Sequence, residues 1–152
     1  LEVKAISNPS FPLIQSSGKN LVKLYLNDVG LLTNILYKYN IKAVIDNECS
    51  VNLGAVYELV VASELKAHGH NLFYYDNKAN GEVDFLIDNY NNLSVTPIEV
   101  KSGKDYTIHC AINKFLKNKS YNVKFGYVLS NNRTIINKDN LIYLPIYMIM
   151  FL

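Results

Sequence analysis

Gly81-Glu82-Val83-Asp84-Phe85-Leu86-Ile87-Asp88 and, after a short polar break, Pro97-Ile98-Glu99-Val100-Lys101-Ser102-Gly103 decide how the rest of the chain is read. Both runs alternate polar and apolar residues with period two, as half-buried strands do, and Asn91-Asn92 between them suits a two-residue hairpin turn. With those two residues at the turn, Val83 faces Val100, Phe85 faces Ile98 and Ile87 faces Thr96 on the core side. On the other, partly accessible side Asp84 faces Glu99 and Glu82 faces Lys101, because alternate side chains on a strand share a face. A slip of one residue would invert the pattern.

Carboxylates opposed at about 5 Å repel by roughly 3 kcal/mol at an effective dielectric near 20. The Asp84 and Glu99 pair therefore calls for a proton, a cation or another register, and a divalent metal would supply the cation. Oxygen ligands on adjacent strands suit Mg²⁺, and a nearby ammonium can act on an attacking water or on a phosphate.

Asp84, Glu99 and Lys101 form a D…ExK pattern, and with it the chain resembles the PD-(D/E)XK nuclease superfamily, many of whose members place a helical carboxylate, here Glu58, in the same site. More narrowly, four blocks in order are similar to the uncharacterised C-terminal domain of bacterial and archaeal AAA+ family ATPases. They are Lys23-Leu-Tyr-Leu-Asn-Asp-Val-Gly-Leu31, the helix carrying Glu58, Glu82-Val-Asp-Phe85 and Pro97-Ile-Glu-Val-Lys-Ser-Gly103, and they cover most of the chain from about Lys23 onward. The resemblance implies Mg²⁺- or Mn²⁺-dependent hydrolysis of phosphodiester bonds in DNA, and an ATPase domain preceding this one in the same protein. Asp84 and Glu99 would then ligate the metal with the Val100 carbonyl and Glu58. Lys101 would position or help deprotonate the water, or stabilise developing phosphorane charge. The alternative is a nuclease fold that binds nucleic acid or regulates its own ATPase without cleaving, since a fold does not fix a function. Glu82, opposite Lys101, could neutralise that ammonium in an ion pair.

With 152 residues, 49% hydrophobic and 18% charged, the chain is one ordinary domain able to bury roughly 68 to 70% of its unfolded surface. It begins with Leu rather than Met, as a piece of something longer would. Cys49 and Cys110 lack CxxC spacing, and neither a cleavable signal nor a run long enough to span a bilayer is present, so a cytoplasmic chain with reduced thiols and no membrane partner is expected. A net charge of +2 says little about nucleic acid by itself. Its distribution says more: from Lys101 to Lys124 the lysines are opposed by Asp105 alone, and Lys104, Lys114 and Lys117 are candidate DNA contacts. The simpler reading of the same run is a solvated lysine face on a helix.

Residues 1–20 hold two prolines and Ser16-Ser17-Gly18, as one short strand without a visible partner and a loop would. Ser17-Gly18-Lys19-Asn20 lacks the upstream glycine and the Ser or Thr of a phosphate loop, which argues against ATP binding there. Leu21 to Leu26 suits a strand, and Asn27 or Asp28 can cap a helix with Val29, Leu32, Ile35 and Leu36 on one stripe. Asn52 caps a helix through His68, stopped by Gly69 and apolar almost all round. Glu58 is the exception on it: a buried carboxylate needs a partner, either a site metal or water beside Asp84 and Glu99, or a backbone or lysine hydrogen bond. His68 and His70 are expected at the surface.

Leu72 to Tyr75 starts a meander that the quoted hairpin completes through a turn at 78–81. A helix with Ile108, Ala111, Ile112, Phe115 and Leu116 then crosses back, and Val123 to Leu129 lies parallel to Val95–Lys101. Ile135, Ile136 and 141–143 suit short edge elements, and 144–151 a short terminal helix with Pro145 in its first turn. The expected class is α/β: a restriction-endonuclease-like sandwich with a mixed central sheet (helix, three antiparallel strands, helix, strand). An N-terminal strand-helix extension, residues 1–45, packs on a nuclease-like core, residues 46–152.

Overall fold

The alternation of the two quoted runs becomes a hairpin in the computed structural model, which describes residues 1–16, 18–38, 40–46, 52–103 and 109–152. Strands β4 (Gly81–Asn89) and β5 (Ser94–Lys101) pair antiparallel with Phe85 opposite Ile98 and Ile87 opposite Thr96, the register expected from the sequence. The turn is longer than two residues: 90–93 connect the strands, with Asn89 Oδ1 accepting from the Asn92 amide at 3.2 Å and Leu93 at a φ of 49°.

Among the described residues this hairpin lies inside a mixed sheet of eight strands. The others are β1 (Glu2–Ile6), β2 (Gly18–Leu24), β3 (Phe73–Asn77), β6 (Gly126–Ser130), β7 (Ile136–Lys138) and β8 (Leu141–Pro145), in the order β2-β1-β3-β4-β5-β6-β8-β7. The pairs β1/β3, β5/β6 and β6/β8 are parallel and the rest antiparallel. The expected parallel alignment of β6 with β5 is present. The N-terminal strand does have partners: β1 lies between β2 and β3, with Val3 and Ala5 fully buried. Strand β8 is interior, and β7 is the edge. Asp139 and Asn140, both at positive φ, join these two as a tight hairpin turn requires.

Both faces of the sheet are covered. Helix α3 (Gly54–Ala67) lays Val61, Ala62 and Leu65 on the face that holds Phe85, Ile87, Ile98 and Val100. After the 14 residues of α1 (Val29–Tyr37) and α2 (Ile41–Ile45) and after α3 comes α4 (Cys110–Lys117), which lays Ile112 and Phe115 on the face that holds Val83, Leu86 and Val95. The middle of the sheet is therefore buried on both sides, while the edge strands β2 and β7 are largely exposed, and β5 is buried from Ser94 through Val100, where half-buried strands were expected.

Local sequence explains the helix ends. Asp28 caps α1, its Oδ1 accepting from Leu31 N at 2.6 Å. Helix α3 ends at Gly69 in the left-handed region, with the His70 amide on Leu65 O and the Gly69 amide on Lys66 O, the paired bonds of a Schellman ending. Two expectations fail here. Asn52 accepts from the Gly54 amide but is not the cap residue, which is Leu53. The stripe on α1 is not buried: no residue of that helix is, and Ile35 and Leu36 are exposed. The chain end is a 3₁₀ helix, Ile146–Phe151, and Pro145 is the last residue of β8 and the cap before that helix rather than a residue of its first turn.

Candidate functional site

The site begins with an irregularity in β4. Phe73 pairs with Leu86 and Tyr75 with Val83, so two steps along β3 meet three along β4, the count of a β-bulge that re-aims side chains. Strict alternation would put Val83 beside Phe85. Instead Val83 joins Leu86 on the α4 face while Phe85 lies on the α3 face. Asp84 sits within the bulge, where no ladder pair with Glu99 is formed, and its Oδ2 accepts from the Val100 amide at 2.7 Å.

Glu99 is buried, not partly accessible, and its Oε1 pairs with Lys101 Nζ at 2.7 Å, two residues along the same strand. Its Oε2 is buried with no hydrogen-bond partner among the described residues. Burial, and next the Glu99 charge, push the Asp84 carboxyl up to about 7; the Val100 hydrogen bond and Lys23 oppose the rise, and Glu58 adds to it. Burial works to lower the Lys101 ammonium, but the hydrogen bond and charge of Glu99, with Asp84 and Glu58 beyond, leave it above its ordinary value.

Glu58, on the half-buried side of α3, accepts from the Tyr25 hydroxyl at 2.7 Å through Oε2. Burial and then this bond raise the Tyr25 hydroxyl far above its ordinary value. Glu82 pairs with Lys23 and not with Lys101. Burial lowers the Lys23 ammonium, and Glu82, then Asp84 and Glu58, more than reverse it. Lys23 and Tyr25 are the residues that sequence reasoning missed. Their signal was the Lys-x-Tyr alternation of 23–25, which puts both on one face of an extended segment.

Four carboxylates, Glu58, Glu82, Asp84 and Glu99, thus stand against two ammoniums, Lys23 and Lys101, so the cluster is short of positive charge. Even so, among the described residues no three His, Cys, Asp or Glu side chains are grouped as the ligands of one ion. The orphaned Glu99 Oε2 beside Asp84 is where a cation or a shared proton fits the donor set.

Of the lysines expected to meet DNA, Lys114 and Lys117 are exposed on α4, with Lys114 Nζ 3.5 Å from Ala79 O; Lys104 lies outside the described residues, as do Cys49 and Ile108. Lys19 is in strand β2, and its ammonium pairs with Asp76 at 2.9 Å. No helix is long and apolar enough to cross a membrane, among the described residues.

Neither a curated protein nor a solved structure matches the chain. A protein-family model described as Domain of unknown function (DUF4143) matches residues 53–149, well over half of the chain and the stretch that carries Glu58, Asp84, Glu99 and Lys101; the chain belongs to that family.

Proposed function

We propose that this chain is a Mg²⁺-dependent, nuclease-like module that hydrolyses phosphodiester bonds in DNA, and that it works as the C-terminal module of an AAA+ type ATPase protein. The observation that carries the reading is the buried, unpartnered Glu99 Oε2 in a cluster with more carboxylates than ammoniums. Within this reading Asp84 and Glu99 would hold the ion, with Glu58 and the Val100 carbonyl as further oxygen donors. A bound Mg²⁺ would polarise a phosphoryl oxygen and lower the pKa of a water.

The chain's own groups do the rest. The Val100 amide fixes Asp84, so that carboxylate meets a cation already oriented. Lys101, held by Glu99 and kept protonated, presents an ammonium where negative charge develops on the phosphate. Lys114 and Lys117 on α4 would add phosphate contacts that raise affinity without reading sequence.

One observation favours the second reading, a nuclease fold that binds nucleic acid or regulates its ATPase without cleaving: Lys101 already occupies one oxygen of Glu99, and no three acidic groups converge among the described residues. Incubation of supercoiled DNA with the purified chain separates the two. Nicking that requires Mg²⁺ and disappears in Asp84→Asn supports hydrolysis, whereas salt-sensitive binding with intact DNA supports the silent module.

A further inference from the structure

Two contacts to the carboxylate cluster come from a segment that lies outside the family match. Tyr25, directly after β2, donates its hydroxyl to Glu58 at 2.7 Å, and its ring centroid lies 5.9 Å from that of Phe85. Lys23, in β2, reaches Glu82 on β4 across β1 and β3, its ammonium 4.8 Å from the centroid of the Tyr74 ring on the way. Residues 23 and 25 share a face, and both side chains end on acids of one cluster. The backbone is pinned as well: the Tyr25 amide donates to Leu1 O at 2.9 Å. A glutamate side chain left free on a helix samples several rotamers, and holding it in one costs conformational entropy. A hydroxyl anchored in a pinned segment removes that freedom before any ligand arrives.

We propose that Tyr25 is a positioning residue of the carboxylate site: its hydroxyl holds Glu58 by Oε2 and leaves Oε1 as the oxygen through which Glu58 meets a divalent cation. The inference rests on the metal-site reading above and extends the site from α3, β4 and β5 to the N-terminal segment. Tyr25 itself touches neither ion nor substrate. Its role is that of an outer partner to a ligand, whose removal typically weakens metal affinity about 10- to 100-fold.

Calorimetric titration of the whole chain with Mn²⁺ alone tests it, using Tyr25→Phe, which keeps the ring against Phe85 and removes only the hydroxyl. The Mn²⁺ dissociation constant should rise about tenfold. The same substitution in a Glu58→Gln background should change it little, because the group being positioned no longer carries charge, and that difference separates positioning from a general loss of packing. Binding by Tyr25→Phe equal to the unsubstituted chain, or an equal loss in both backgrounds, overturns the proposal while leaving the metal site standing, provided that Asp84→Asn abolishes binding. If the unsubstituted chain takes up no Mn²⁺, or Asp84→Asn takes it up unchanged, the metal-site reading falls and this inference with it.

Discussion

Asp84 is the residue on which, in the proposed site, a proton and a metal would compete. Its carboxyl is pushed up to about 7 by burial and by Glu99, so between about pH 4 and 7 the folded chain holds a proton that the unfolded chain has released. The stability this confers is complete below the unfolded value and is lost as pH rises through the folded one. Asp84→Asn, which can still accept from the Val100 amide, should therefore match the parent near pH 4 and exceed it at pH 8 by on the order of 2–4 kcal/mol in the absence of metal. Denaturant titrations at both pH values check this; a constant difference would mean that Asp84 is not strained by its neighbours. The alternating runs put Asp84 and Glu99 on facing strands, but the direct pairing they implied is removed by the bulge, and Glu99 meets Lys101 along its own strand instead. The partners of Glu82 and Glu58 were not legible in the sequence, because Lys23 and Tyr25 reach them across the sheet from a strand that no local pattern places there. Expecting Glu82 opposite Lys101 followed from continuing the register past Phe85, where the ladder gives way.

At the scale of elements, the hairpin register and the parallel return of β6 were legible, and the bulge was not. No glycine or proline stands at 83–86 to mark it, and its cause lies in the pairing of β4 with β3 and β5 at once. The crossover beside the site depends on a close approach: a Cβ on Gly126 would come within 2.9 Å of Pro97 Cγ and 3.1 Å of Pro97 O, with Ile112 Cδ1 at 3.2 Å. Backbone cannot give as a flexible side chain can, so Gly126→Ala should push β6 away from β5 and cost about 1–3 kcal/mol. Thermal unfolding should show a lower midpoint, whereas an unchanged midpoint would mean that β5 and β6 can separate around residue 126 at no cost. The terminal segment shows another limit: apolar spacing at 144–151 suits either helix type over so short a run, and the chain takes the tighter one after Pro145 has closed β8.

For the whole molecule, the mixed α/β class followed from the alternation of strand and helix patterns, but the width of the sheet did not, because β1 joins strands more than sixty residues away. The strands of residues 1–24 share one sheet with those that follow, so a chain beginning at residue 53, where the family match begins, would uncover the edge of β3 and lose Val3, Ala5 and Ile6 from the core. Such a chain should lack a cooperative melting transition; a sharp transition at the full chain's midpoint would show that β1 and β2 add nothing to stability. The same assembly brings Asp84 and Glu99 into one buried cluster, and binding of a cation there should stabilise only the folded state. The central claim is tested most directly by differential scanning calorimetry at increasing Mg²⁺. At about 100 times the dissociation constant the folded chain should gain roughly 2.7 kcal/mol, a rise of roughly 5 to 10 °C in midpoint, and Asp84→Asn and Glu99→Gln should each abolish most of it; the same rise in both variants would contradict the account, because the ion would then be bound somewhere else.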